Sequence, residues 1–200
     1  MDTRQALLEA LRGGNVITQA FRALRGKLGE IFPDTYYSHR VVPPKSSPAM
    51  WKDLIRTAPM IGLGWAGFTP DRDCGKIYRG DLVFVIFCLS EARELEDIYT
   101  GDANVAGIMG EAAMCLHLLQ GWKIAGIGTC HVRQCTTAEV ANWVDDGQGI
   151  VAIEVVVRNV AFDDATYIAT LNRFVSMNMS MPVNGEKVAT TGIDTTGSQT

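Results

Sequence analysis

The chain has 200 residues with a formal net charge of −4, and 47% of its residues are hydrophobic while 20% are charged. A chain of this length can bury a core without disulfides or metals, and this composition excludes a disordered polyelectrolyte and a strongly basic nucleic-acid-binding protein. No apolar run approaches the roughly 20 residues that cross a bilayer, and the charged amino terminus does not resemble a signal peptide. We therefore expect a soluble cytoplasmic product whose partners are proteins.

The first third of the chain is predicted to be mainly helical. Residues 5–12 form a first helix that two glycines break, and residues 16–28 resume it with Phe21, Leu24 and Leu28 on one stripe. A short strand over residues 35–42 and one or two helical turns over residues 50–56 follow. Proline and glycine then mark a return to extended structure near residues 59–67.

The middle of the chain predicts a sheet with one helix packed on it. Residues 81–89 are a nearly unbroken β-branched and aromatic run, typical of a central strand, and residues 90–102 are a charged connection. A helix is predicted over residues 104–120, ended by Gly121 in a left-handed conformation. Its predicted apolar face comprises Val105, Ile108, Met109, Ala112, Leu116 and Leu119. Residues 122–132 are predicted as a strand interrupted by glycines, and residues 150–158 as another strand.

The C-terminal quarter predicts an extended arm followed by a polar tail. Residues 174–183 alternate between apolar and small polar side chains, which is typical of a strand with one face covered. Past Pro182 apolar residues almost disappear, so residues 184–200 are expected to be mobile unless a partner orders them. The predicted fold is therefore α/β (α+β): a mixed or antiparallel sheet packed by helices in one domain over residues 1–183, with a flexible tail over residues 184–200.

Five cysteines, an odd number scattered over predicted core elements, suit a reducing compartment better than a disulfide framework. The segment from Cys130 through His131 to Cys135, with His117 nearby in sequence, contains the densest group of possible metal ligands. Its spacing fits no standard zinc site, and Cys130 and His131 would lie on opposite faces of a strand. A cysteine nucleophile activated by either histidine is an equally weak alternative, because neither neighbourhood carries a recognisable signature.

Two further sequence patterns are better explained by packing or solvation than by ligand binding. Gly62, Gly64 and Gly67 satisfy the spacing of a dinucleotide-binding loop, but Pro70 and turn residues follow them where a helix would have to begin. Glycines that permit twist or close packing in an edge strand explain the pattern better. The acidic residues between Glu91 and Asp102 lack the alternation and central glycine of a calcium loop. We therefore predict no catalytic residue, no cofactor and no metal, and hence no enzyme.

The order of elements resembles the tail-completion or tail-terminator proteins of Mu-like and related tailed bacteriophages. The resemblance spans most of residues 15–183 and is one of pattern and order, without an invariant motif. Its features are the helix ending near Phe32-Pro33, the segment 58–61, the strand 81–89, the helix 104–120 closed by Gly121-Trp122, the strand 150–158 and the late segment 171–175.

The resemblance implies an α/β virion protein that assembles in the host cytoplasm as a ring, with six subunits expected, at the head-proximal end of the tail tube. Such a ring ends tube polymerisation and joins the tail to the head–tail connector, so the expected partners are further copies of the chain, the tube protein and the neck proteins. DNA would pass through the lumen without sequence-specific binding, and no membrane is involved. Another neck or head-completion protein is the main alternative, and a small enzyme using Cys130 or Cys135 is a weaker one.

Two segments are predicted to form the interfaces between subunits or with tube proteins: the loop over residues 91–101 and the arm over residues 174–183. The interface residues predicted in them are Arg93, Glu94, Glu96, Asp97, Phe174, Val175, Met177, Met179 and Met181. The prediction depends on the exposure expected for charged residues and on the alternation of the arm.

Overall fold

A computed structural model describes residues 3–43, 47–73, 77–137 and 147–179. It confirms the α+β class, with a mixed and curled six-stranded sheet packed by helices. The chain divides into two compact units. The first contains the described residues 3–15 and 164–179, and the second contains those from 16 to 163.

The second unit is built on a sheet with the strand order β1-β2-β3-β6-β5-β4. Neighbouring strands are antiparallel except β1 and β2, which are parallel. The strands are β1 (Ser38–Val41), β2 (Met60–Pro70), β3 (Arg79–Glu91), β4 (Lys123–Ile124), β5 (Gly128–Thr137) and β6 (Gln148–Ala161). The predicted strands over residues 81–89 and 150–158 thus become the long central pair β3 and β6, which are rich in β-branched residues.

The described residues of this unit contain four helices: α2 (Val16–Ile31), α3 (Pro48–Ile55), α4 (Leu95–Thr100) and α5 (Gly107–Leu119). The main core forms where α2 and α5 pack on one face of the sheet, and Leu24, Phe84 and Ile153 are fully buried there. A second cluster lies around Trp51 of α3, whose ring meets that of Phe87 edge-on at 5.6 Å between centroids. Because neighbouring residues of a strand point to opposite faces, the two clusters cover opposite faces of β3.

The described part of the first unit contains two helices, α1 (Thr3–Gly14) and α6 (Ala165–Met179), which pack along each other. A Cβ atom added to Gly14 would lie 3.4 Å from the ring of Tyr167, so the helices approach closely there. Among the described side chains of this unit, Leu7 alone is buried. The helix pair therefore has almost no core of its own.

The sequence predicts a strand over residues 174–183, and this prediction is wrong for residues 174–179, the part that the structure describes. Residues 174–179 belong to α6, and residues 180–183 lie outside the described residues. The alternation of Val175, Met177 and Met179 with serine and asparagine suggested a strand. No glycine or proline interrupts residues 165–179, however, and methionine and leucine are good helix formers.

Three boundaries also differ from the sequence prediction. The connection over residues 90–102 contains the short helix α4, and the strand predicted over residues 122–132 is divided into β4 and β5 by a turn at Gly126, where φ is +72°. Strand β2 continues through Phe68 to Pro70, where a loop was predicted. Pro70 is compatible with a strand because β1 pairs only with Met60–Leu63, which leaves this part of β2 at the sheet edge.

Candidate functional site

The candidate site lies where β3 ends and α4 begins. An open groove with a volume of ≈ 660 Å³ is found there, and its charged lining residues are Arg56, Glu91, Arg93, Asp97 and Asp102. Three carboxylates and two guanidinium groups therefore face one depression. A groove with both signs of charge suits contact with a polar protein surface.

Hydrogen bonds hold Glu91 and Ala92, where the connection from β3 to α4 begins, against the start of β6. The backbone N–H of Ala92 donates to the carbonyl of Gly147 at 2.9 Å, and the Gln148 side-chain amide donates to Glu91 Oε2 at 2.9 Å. The same amide also approaches the carbonyl of Ile55 at 3.4 Å. The wall of the groove formed by Glu91 and Ala92 is thus fixed to the sheet.

Two glycines bring α4 and α5 together. Gly101 and Gly107 have φ values of +86° and +62°, a region that side-chain-bearing residues rarely adopt. A Cβ atom on Gly107 would lie 2.4 Å from the backbone nitrogen of Gly101 and 2.7 Å from the carbonyl oxygen of Tyr99. This close approach of two backbones sets the position of α4 beside α5.

Between these glycines, Asp102 organises the connection to α5. Its Oδ1 atom accepts hydrogen bonds from the backbone N–H groups of Asn104 at 2.7 Å and Val105 at 3.0 Å. These bonds lower the pKa of the Asp102 carboxyl group because they favour its charged form.

A buried carboxyl group lies behind this surface. Glu111 of α5 is fully buried, and its Oε1 atom accepts a hydrogen bond of 2.8 Å from the Ser90 hydroxyl at the end of β3. Burial raises the pKa of Glu111 to about 7, although the polar contacts of Ser90 and Tyr37 act in the opposite direction. The Oε2 atom of Glu111 makes no hydrogen bond of ordinary geometry. Tyr37, the residue before β1, also accepts a long hydrogen bond of 3.4 Å from the backbone N–H of Ala106, so this network joins β3, α5 and the segment that leads into β1.

The face of α5 differs from the one predicted. Ile108, Ala112 and Leu119 are buried as expected, but Met109 and Leu116 are exposed, by 62% and 42%. The predicted face was wrong at these two positions, because Glu111 and Cys115 occupy the buried face in their place. Met109, Ala113 and Leu116 instead form an exposed stripe at the i, i+4 and i+7 positions.

The predicted loop residues lie together around α4. Arg93 and Asp97 line the groove, while Glu94 and Glu96 are exposed on the same segment. Sequence reasoning missed two large apolar neighbours on α4, Leu95 with 72% exposure and Tyr99 with 45%. The one sequence signal for these two residues is that they are apolar in a loop predicted to be solvated. The charged residues on both sides make that signal weak.

The predicted arm residues fall on α6. Phe174 is half-buried and Val175 is 46% exposed. Met177 and Met179 belong to the helix by their backbone, but their side chains and the whole of Met181 lie outside the described residues. Two residues that the prediction missed, Ile168 and Leu171, are 43% and 40% exposed and share a stripe with Val175 at the i, i+3 and i+7 positions.

Of the residues considered for a metal site, Cys130, His131 and Cys135 lie on β5 and His117 lies on α5. Cys130 is buried opposite Val157, while the neighbouring His131 lies opposite Val156 on the other face of the sheet and has its Nδ1 atom 3.4 Å from the Gln120 side-chain nitrogen. Burial raises the pKa of Cys130 to about 12. In the described part of the chain, no three side chains among histidine, cysteine, aspartate and glutamate are grouped to hold a metal ion.

The three spaced glycines lie within β2 rather than at the start of a helix. A Cβ atom on Gly62 would approach Val42 Cγ2 to 2.7 Å, and one on Gly64 would approach the Val42 carbonyl oxygen to 3.0 Å. These two glycines therefore let the chain following β1 pack closely on β2, which confirms the packing explanation.

Over the residues that the structure describes, no helix combines the length and the apolar character needed to cross a bilayer. No protein-family model matches the sequence, and a search of curated proteins finds no match.

Proposed function

We propose that this chain is a structural protein of a tailed-bacteriophage virion, a tail terminator that closes into a ring on the head-proximal end of the tail tube. The ring stops tube polymerisation and offers its other face to the head–tail connector. Support for this specific role comes from the order of elements in the sequence.

One observation carries the proposal that the chain assembles with protein partners. Leu95 and Met109 are 72% and 62% exposed on two helices that pack against each other, and Tyr99 of α4 is also exposed. Exposed apolar side chains mark sites of protein association where they form one contiguous patch, and the proposal assigns such a patch to these two helices. The charged groove beside them supplies polar contacts of the kind found at the rims of interfaces.

Growth of the tail tube tests the proposed role. Tube protein polymerised with this chain is expected to give short tubes with a ring at one end, because a terminator blocks the surface that the next tube ring needs. The measurement is the distribution of tube lengths in negative-stain electron micrographs. Tubes of unchanged length without an end ring would contradict the proposal, and binding to connector proteins alone would favour another neck protein.

Two cysteines test the enzyme alternative. A catalytic cysteine needs a thiolate, and its pKa is typically lowered. Burial instead raises the pKa values of Cys130 and Cys135. The double variant Cys130→Ala with Cys135→Ala is therefore expected to fold and to shorten tubes as the unchanged protein does. Loss of this activity in a variant with a normal circular dichroism spectrum and unfolding temperature would favour a chemical role for the thiols.

A further inference from the structure

The helix pair of the first unit has a surface that needs a partner. Burying one leucine contributes about 2 kcal/mol, whereas ordering each residue of the two helices costs on the order of 1 kcal/mol. Leu7 is the one buried side chain among those described in this unit, and Ile168, Leu171 and Val175 remain exposed along α6. The described side chains of this helix pair thus bury little apolar surface.

The exposed stripe of α5 matches that of α6 in length and character. Each stripe spans eight helical positions, 109–116 in α5 and 168–175 in α6, which is about 11 Å at the rise of an α-helix. The α5 stripe consists of Met109, Ala113 and Leu116. Apolar stripes of equal length on two helices can pack side by side, with the ridges of one helix in the grooves of the other.

The charges beside the two stripes are complementary. Arg173 is the one charged residue of α6, and it is exposed. The charged residues of α4 are Glu96 and Asp97, and the exposed Arg93 and Glu94 precede them, so this segment carries three carboxylates against one guanidinium group. Opposite charges at the edge of an apolar contact fix its orientation and increase the association rate.

We propose that α6 of one copy of this chain packs on the α4–α5 face of the next copy. The α4–α5 face is defined here as Leu95, Tyr99, Met109, Ala113 and Leu116. The contact joins two different surfaces, so each copy has one of each to offer. Repetition of such a heterologous contact forms a closed ring when the rotation from one copy to the next divides a full turn, which the proposed function requires. The two segments predicted as interfaces from the sequence, around Arg93 and around Val175, are thus opposite halves of one contact. This inference rests on the proposed ring, because it identifies the surfaces that close it.

Two matched pairs of variants test the contact. Leu171→Glu places a charge in the α6 stripe, and Ala169→Glu places the same charge on an exposed part of α6 outside that stripe. Leu116→Glu changes the α4–α5 face, and Leu118→Glu changes a leucine of similar exposure, 47% against 42%, outside the stripe. Light scattering should give the 21.8 kDa mass of a single chain for the two stripe variants and the mass of the unchanged assembly for the two controls.

Mixing the two stripe variants provides the sharpest result. Leu116→Glu keeps an unchanged α6 stripe, and Leu171→Glu keeps an unchanged α4–α5 face. The mixture should therefore form a complex with twice the mass of one chain and grow no further. Formation of that complex would also show that both variants are folded. Stripe variants that retain the unchanged assembly, or mixtures that remain at the mass of one chain, would overturn the inference.

The outcomes separate this inference from the proposed function. If the unchanged protein forms a ring and the stripe variants form the same ring, the proposed contact between α6 and the α4–α5 face is wrong, while the proposal that the chain forms a ring stands. If the stripe variants form the ring but no longer shorten tubes, the face binds tube protein, and the contact between copies is again wrong. If the unchanged protein has the mass of one chain with or without tube protein, both proposals fail.

Discussion

Replacing Glu111 by glutamine is expected to remove a large part of the pH dependence of stability. The carboxyl group is fully buried beside Ser90, and burial raises its pKa from 4.5 to about 7. In the unfolded chain the group loses its proton at its ordinary pKa, whereas in the folded protein it retains the proton to a higher pH. Its contribution to stability is thus fully present below pH 4.5 and is lost as the pH rises through about 7.

The expected size of this loss is about 3 kcal/mol, since each pKa unit corresponds to about 1.4 kcal/mol. Glutamine resembles the protonated carboxyl group and does not titrate. The Glu111→Gln variant should match the unchanged protein at about pH 4, below the ordinary pKa of the carboxyl group, and exceed its stability by up to about 3 kcal/mol at pH 8.

Urea unfolding at several pH values measures this difference. Glu30→Gln is a suitable control, because Glu30 is an exposed residue whose carboxylate lies 2.8 Å from Lys27 Nζ. An exposed ion pair contributes under about 1 kcal/mol, so the control should retain the slope of the unchanged protein. Parallel stability curves for Glu111→Gln and the unchanged protein would show that Glu111 does not titrate as a buried group.

Gly107→Ala is expected to destabilise the protein by on the order of 3 kcal/mol. A φ of +62° costs a side-chain-bearing residue roughly 1–3 kcal/mol, and overpacking adds a similar amount. The new Cβ atom would collide with the backbone of Gly101 and Tyr99, which cannot move as a flexible side chain would. The midpoint of chemical denaturation measures the loss.

Gly26→Ala is the matched control for this variant. Gly26 lies inside α2, and a Cβ atom there meets nothing within 4 Å. Alanine at such a helical position should stabilise the protein by about 0.5–1 kcal/mol. Equal effects of the two substitutions would mean that the approach of α4 to α5 is looser than the structure indicates.

The sheet could be predicted from the sequence because its central strands carry their own signal. Strands β3 and β6 are long β-branched runs, and the structure pairs them directly. The short helix α4 carried no such signal, since Ile98 is the one residue it buries. A six-residue helix with one buried side chain has no apolar period to detect.

The orientation of α5 could not be predicted, although its existence could. Nearly every residue of this helix is apolar or small, so several faces fit the helical period equally well. The helical period predicts Met109 and Leu116 on the buried face. The structure instead buries Glu111, which is acceptable because the Ser90 hydroxyl bonds to it and burial favours its protonated form.

The candidate site was predicted in part. The charged loop around Arg93 was chosen for its expected exposure, and the structure places Arg93 and Asp97 in one groove. Leu95, Met109 and Leu171 were missed because exposure of an apolar residue depends on which neighbours pack against it. Composition and hydrophobic period describe the residue itself. They do not reveal which neighbours pack against it in the folded protein.

The mass of the purified protein in solution tests the central claim most directly. Light scattering over a range of concentrations should give a closed assembly, with the same whole-number multiple of 21.8 kDa throughout. A constant multiple is expected because a ring has no free end to which further copies could add. A mass of 21.8 kDa at every concentration, unchanged by tube protein, would contradict the account.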